Sequence, residues 1–311
     1  MPTLPPAEID DTLSIGGTEI DGRKIASRMT VQVRINGTGP YKFVVDSGAD
    51  SSVIGQRIAS SLNLPMGRRV ILNSITDSQL VDRVLVDELE LGPTKIADLE
   101  IPVLRERDLG AHGMLGLDAL VEQRLMLDFE KRVITVDDGR TPAPQFDDVI
   151  VVTAKLRRGQ LILTKVSADR QRIEAVVDTG SEITIGNTAL RDQLRRRHAS
   201  EFSEIEVTGV TGTTVKLQMA RIARLQIGGV VLQNVPIAFA DIPPFAVFGM
   251  NAKPALLLGT DLMENFRKVS LDFHKRKVRF QLKRCAGGIA LRTSPGTLTR
   301  VTSDSPAACS R

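Results

Sequence analysis

The chain has 311 residues, 42% hydrophobic and 25% charged, a globular composition that excludes disorder along its whole length. Its formal charge of +4 resides in residues 283–311, so there is no basic face; with one tyrosine and no tryptophan there is little surface for base stacking, and no nucleic acid is expected as a partner. Two cysteines, three scattered histidines and no uncharged run of about 18 residues exclude a disulfide framework, zinc-type spacing and a membrane span, leaving any chemistry to carboxylates.

Residues 1–26 contain several prolines and lack the basic and apolar stretches of a secretory signal. They read as an N-terminal extension, and the chain as given reads as cytoplasmic, or as periplasmic or exported if a signal peptide was removed. Residues 27–137 form a first unit of short Val, Ile and Thr runs at period two, which predicts strands. Its run Phe43-Val44-Val45 delivers Asp46-Ser47-Gly48 at a strand end. A helical pattern follows over 56–62, then turn signals at 74–78, a turn after Leu89-Glu90-Leu91-Gly92 and a strand around Pro102. Leu115-Gly116-Leu117-Asp118 and Leu127-Asp128-Phe129 close the unit.

Residues 138–148 are polar and proline-containing, as a linker is. The same order then repeats over 149–282: Ala175-Val176-Val177 delivers Asp178-Thr179-Gly180, a helical pattern covers 188–197, turn signals fall at 209–213, and a turn follows Leu225-Gln226-Ile227-Gly228. A strand surrounds Pro236, and Leu258-Gly259-Thr260-Asp261 and Leu271-Asp272-Phe273 end the copy. Residues 283–311, rich in Gly, Ala, Pro, Ser and Thr and holding Cys285 and Cys309, read as a disordered basic tail.

Asp46 to Gly116 spans 70 residues and Asp178 to Gly259 spans 81; most of the excess follows the shared proline, which places an insertion within 241–254, expected as a loop near a ligand cleft. One Asp-[Ser/Thr]-Gly tripeptide is weak evidence, but two with matched flanks are specific. Carboxylates brought together across a pseudo-two-fold axis cannot both ionise cheaply, so such a pair retains one proton. The ionised member can take a proton from water attacking a carbonyl while the protonated member hydrogen-bonds the carbonyl oxygen, without metal or covalent nucleophile.

Residues 28–282 resemble a retropepsin-like aspartic protease, doubled in one polypeptide. Asp46-Ser47-Gly48-Ala49-Asp50 is close to the retropepsin string, Asp178-Thr179-Gly180-Ser181 is closer to the pepsin form, and Leu115-Gly116 and Leu258-Gly259 carry the second signature of each half. Proton sharing between two aspartates is the known behaviour of such proteases. The resemblance implies an all-β fold of two lobes with a few short helices, and aspartic endopeptidase activity by Asp46 and Asp178. It implies that Ser47 and Thr179 bond across the axis and that Gly48, Gly180, Gly116 and Gly259 support the active-site loops. Ala49, Asp50, Ser181 and Glu182, with Thr76, Thr211 and Gly212 on hairpin flaps, would contact a peptide bound as an extended strand. No cofactor is implied, and a monomer can be active because one chain supplies both halves.

The sequence departs from the family in two places. Its single tyrosine, Tyr41, lies five residues before Asp46 and is no flap tyrosine, and Leu117 and Thr260 stand where retropepsins commonly carry arginine. The competing reading is a catalytically inactive peptide- or protein-binding module on the same fold. Arg191, Arg195, Arg196, Arg197 and His198 read as a solvated helix face, and Asp128 and Asp272 as turn-stabilising residues.

Overall fold

The computed structural model describes residues 28–92, 94–121, 123–137, 149–196, 202–283, 289–294 and 297–300. The first lobe runs β1 (Thr30–Ile35), β2 (Thr38–Val45), β3 (Val53–Gly55), α1 (Gln56–Ser61), β4 (Val70–Asn73), β5 (Ser78–Val81), β6 (Arg83–Leu91), β7 (Thr94–Leu104), α2 (Glu106–Leu109), β8 (Gly113–Leu115), α3 (Leu117–Leu120), β9 (Arg124–Asp128) and β10 (Val133–Asp137). Six of these strands close a barrel in the order β1-β2-β8-β3-β7-β6. The alternation read from the sequence becomes inward and outward faces: in β1, Val31, Val33 and Ile35 are buried while Gln32 and Arg34 are exposed.

The second lobe repeats the plan with β11 (Val149–Arg157), β12 (Gln160–Ala168), β13 (Gln171–Val177), β14 (Ile185–Gly186), α4 (Thr188–Arg195), β15 (Ser203–Thr208), β16 (Thr214–Ile227), β17 (Val230–Phe239), α5 (Pro243–Val247), β18 (Ala255–Leu258), α6 (Thr260–Met263), β19 (Phe266–Asp272) and β20 (Lys277–Leu282). Its sheet order is β12-β13-β18-β14-β17-β16-β15, with β12 also pairing β16. The helices are one to two turns long, too short to stand without the sheets they pack on.

The lobes are joined by a shared sheet in the order β10-β9-β19-β20-β11. β9 and β19 pair antiparallel, Leu125 opposite Leu271 and Leu127 opposite Val269, and all four are buried. Burying each such side chain contributes about 1.5–3 kcal/mol, so this seam is a continuous core rather than a docked surface. Asp128 and Asp272, buried at its turns, accept backbone N–H groups from Lys131 (2.9 Å) and Lys275 (2.7 Å), the turn role their positions suggested.

Two expectations are corrected. The insertion within 241–254 does border the cleft, through Pro244, Val247 and Phe248, but it is no open loop: it contains α5, whose Phe245 is buried, and Asn187 Nδ2 donates to the Met250 and Lys253 carbonyls at 2.9 and 2.7 Å and fixes the segment. The tail also contributes β21 (Ile289–Ser294) and β22 (Thr297–Arg300), with β21 pairing β17 at Val230 to Leu232. That stretch of β17 bonds β16 on one side only, so its other edge offers free backbone groups to an arriving strand. Cys285, Cys309, Arg197 and His198 lie outside the described residues.

Candidate active site

In each lobe one strand delivers an aspartate to the same point. β2 ends at Val45 and β13 at Val177; each is held parallel to a later strand, β8 or β18, and the next N–H, of Asp46 or Asp178, donates to the Leu115 or Leu258 carbonyl at 2.9 or 3.0 Å. The chain then turns, and the loop's own amides close on the carboxylate. Asp46 Oδ1 accepts from Gly48 and Ala49 N–H at 2.8 and 3.1 Å, and Asp178 Oδ1 accepts from Gly180 and Ser181 N–H at the same two distances.

The loops are tied across the axis. Ser47 N–H donates to Thr179 Oγ1 (2.9 Å), whose hydroxyl donates to the Val45 carbonyl (2.7 Å); Thr179 N–H donates to Ser47 Oγ (3.1 Å), whose hydroxyl donates to the Val177 carbonyl (3.0 Å). Both residues are about 1% exposed, so these four bonds have no water to replace them. A Cβ on Gly48 would run into the Asp178 carboxyl, and one on Gly180 into that of Asp46, so the absence of a side chain permits this approach. Gly116 and Gly259 lie as closely against the backbone of Ser51 and of Ile183.

The carboxyls of Asp46 and Asp178 hydrogen-bond each other. Burial raises both above the usual carboxylate range, and the Asp46 charge pushes Asp178 well up, whereas the Asp178 hydrogen bond and the backbone N–H of Gly48 pull Asp46 down. Both shifts favour a pair that retains one proton between the two carboxyls. It can act as base and acid in one site.

The sequence did not reveal three supports. Asp118 and Asp261 lie two residues after the second-signature glycines and accept the Ser52 and Thr184 hydroxyls, each at 2.6 Å; Ser52 and Thr184 in turn accept the N–H of Gly116 (3.0 Å) and Gly259 (3.1 Å). Their matched spacing was a usable signal. Arg28 Nε donates to Glu182 Oε1 at 3.0 Å and its Nη2 to the Leu109 carbonyl at 3.1 Å; Gln160 Nε2 donates to Asp50 Oδ1 at 2.5 Å. These links join the lobes where the arginines after Gly116 and Gly259 are missing. Burial nonetheless pushes Glu182 up to about 7 despite the Arg28 guanidinium, and Asp261 up to about 6.

Hairpins β4–β5 and β15–β16 stand over the aspartates as flaps, and their tips meet. Asp77 accepts the Ser74 hydroxyl (2.8 Å) from its own flap and the Thr211 and Thr213 hydroxyls (2.7 Å each) from the other. Burial opposes ionisation of Asp77, but the hydroxyls of Thr213, Thr211 and Ser74 outweigh it and hold the carboxyl below the usual range. Ile75 packs on the second lobe's core and Val210 on the first lobe's, so each tip crosses to the opposite wall.

Beneath the flaps lies a cleft of about 370 Å³ reaching both aspartates. Val53, Val70, Leu72 and Met114 line one wall and Ile183, Ile205, Val207 and Phe248 the other. Ala49, Asp50, Ser181 and Glu182 line it as well; Thr76, Thr211 and Gly212 lie at the meeting of the tips, and the tip residues on the cleft are Ser74, Ile75, Gly209 and Val210. Among the described residues, no cluster of His, Cys, Asp and Glu is arranged to hold a metal, and no helix is long and apolar enough to cross a membrane.

Residues 31–119 and 164–262 each match the model of a family described as aspartyl protease. No curated protein matches the chain.

Proposed function

Since two matched segments make up more than half of its length, the chain belongs to the aspartyl protease family, and we propose that it is an endopeptidase with Asp46 and Asp178 as its catalytic pair. The observation that carries this reading is the proton-sharing contact between two carboxyls, one from each copy, each immobilised by two backbone N–H groups. With Oδ1 of each aspartate held by its loop, the outer oxygens are left for reaction. Asp46, ionised, takes a proton from a water attacking the scissile carbonyl; Asp178, protonated, donates to the carbonyl oxygen as charge develops there. The C–N bond of the tetrahedral diol then breaks as Asp46 gives its proton to the leaving amine and a diol hydroxyl returns a proton to Asp178, which leaves the carboxylic acid product and the pair in its starting state.

Substrate enters as an extended strand between the loops and the flaps. Backbone hydrogen bonds supply affinity, and the apolar walls favour apolar side chains on both sides of the cut bond. At the flap tips, Ile75 and Val210 line the cleft and are favoured over Thr76, Thr211 and Gly212 as its contacts. Both halves of the site come from one chain, so a monomer can be active.

Cleavage of a mixed peptide library from about pH 4 to 7 by the native chain, Asp46→Asn and Asp178→Asn tests the reading. Each substitution is expected to abolish cleavage, by more than about 100-fold, while far-UV circular dichroism stays native. A folded native chain that retains peptides without cutting any across that range overturns the reading in favour of a binding module.

A further inference from the structure

Among the buried positions beside the aspartates at which the two copies differ, one differs in charge. Continuing the β1–β2 register past Thr30 opposite Val44 sets Arg28 opposite Asp46; continuing β12–β13 past Ile162 opposite Val176 sets Gln160 opposite Asp178. Arg28 and Gln160 are thus counterparts in the duplication, and both are buried, at 3% and 0% exposure. They also make counterpart contacts. Arg28 reaches Glu182 in the other lobe's loop, Gln160 reaches Asp50 in the first lobe's loop, and these two acids are each the fourth residue after an active-site aspartate. One position carries a full charge and the other an amide.

The loops themselves do not distinguish the aspartates, because their N–H contacts have the same lengths on both sides. On the reading that Asp46 and Asp178 are the catalytic pair, we propose that Arg28 is a positioning residue that keeps the negative charge on Asp46 and leaves the shared proton on Asp178, fixing which is base and which is acid. The guanidinium is held from two directions, by Glu182 and by the Leu109 carbonyl, on the residue set opposite Asp46. Burial favours the protonated form of both aspartates; the Arg28 charge acts to stabilise ionised Asp46, whereas the Asp46 charge pushes Asp178 toward its protonated form.

The remaining charged groups facing the cleft are Asp50, Glu182, Arg83, Arg158 and Glu206. Glu182 is taken up by Arg28 and backed by the like charge of Glu264, and Arg83 is paired with Glu100 at 3.1 Å. Gln160 Oε1 is buried without a partner, so an arginine at that position forfeits no acceptor contact and can pair Asp50 as Arg28 pairs Glu182. Fixing the proton also fixes which face of the scissile carbonyl meets the base. The peptide thereby gains a defined direction in a groove whose halves are otherwise alike.

The test is a carbon-13 carboxyl NMR titration of the full chain labelled at aspartate, with Asp46→Asn and Asp178→Asn used to assign the two resonances. In the native chain, Asp178 is expected to titrate above Asp46. Arg28→Gln is expected to raise the lower titration by about one pH unit, Arg28→Lys to preserve the native order, and Arg28→Gln with Gln160→Arg to reverse it. An unchanged order in the folded double variant overturns the proposal, and a purely structural role for Arg28 gives no reversal.

If the double variant does not fold, the single variants decide: a lower titration that does not move in folded Arg28→Gln, or that moves as far in Arg28→Lys, overturns the proposal. These readouts require no peptide cleavage, so an inactive chain removes the catalytic reading without deciding the proton's location. Where cleavage is observed, the acidic limb of kcat/KM in Arg28→Gln shifts upward by the same amount, and Arg28→Lys restores it.

Discussion

Thr179→Val tests the tie between the lobes most directly, because valine keeps the shape of threonine and removes its hydroxyl. Two groups then lose their partners: Ser47 N–H, which donates to Thr179 Oγ1 at 2.9 Å, and the Val45 carbonyl, which accepts from it at 2.7 Å. Ser47 and Val45 are each about 1% exposed, so water does not replace the lost bonds. Leaving a buried donor or acceptor unmade costs about 1–3 kcal/mol, which puts the substitution at about 2–6 kcal/mol against a total stability of about 5–15 kcal/mol. With a urea slope of about 3 kcal/mol per M, a loss near 3 kcal/mol moves the midpoint down by about 1 M. Urea unfolding followed by circular dichroism reads this, with Thr179→Ser as the control that keeps the hydroxyl and loses less than about 1.5 kcal/mol. A Thr179→Val midpoint within about 0.2 M of the native one would refute the claim that the crossed hydroxyls hold the loops together.

Asp77→Asn removes the charge that collects the Ser74, Thr211 and Thr213 hydroxyls, and flaps that close less firmly should raise KM several-fold with kcat changed less; an unaltered KM counts against a closing role for the tip contact. The sign of its pH dependence follows from the lowered pKa: the contact is at full strength above the ordinary value of 3.8 and is lost as pH falls through the depressed one, so spin labels on the two flaps should separate only in acid. Glu182 and Asp261 behave oppositely. Their folded pKa values, about 7 and about 6, exceed 4.5 and 3.8, so the folded state binds more protons and stability falls as pH rises from about 4 to about 7. Each group is worth on the order of 3 kcal/mol across its window. Thermal melts between pH 4.5 and 8 should show the decline, flattened in Glu182→Gln, and a Tm that rises steadily over that interval contradicts it.

Features carried by local strings were legible in the sequence. Phe43-Val44-Val45 before Asp46 and Ala175-Val176-Val177 before Asp178 announced strands that deliver acids, and the turn signals at 74–78 and 209–213 fell at the flap tips. What escaped was long-range and depended on the second copy. Arg28 precedes its strand with no motif around it, and its partner Glu182 lies 154 residues away. Asp77 sat inside a recognised turn, yet its significance comes from hydroxyls 134 and 136 residues later. The insertion misled because Pro243 and Pro244 read as loop, although proline suits the first turn of a helix, where its missing N–H costs nothing. The second-signature aspartates were visible as Asp118 and Asp261, but nothing local told that each receives a hydroxyl from the loop it supports.

The crossing of the flap tips constrains how the two halves can drift apart. Most positions in one copy answer only to neighbours in the same copy, and a duplicated gene can vary them freely. At the tips this independence ends. Ile75 of the first copy rests on the wall built by the second, Val210 of the second rests on the wall of the first, and Asp77 is satisfied by threonines encoded after the linker. A change on either side is judged by the other, so these few residues must alter in step or not at all, and lifting either flap strips contacts from both.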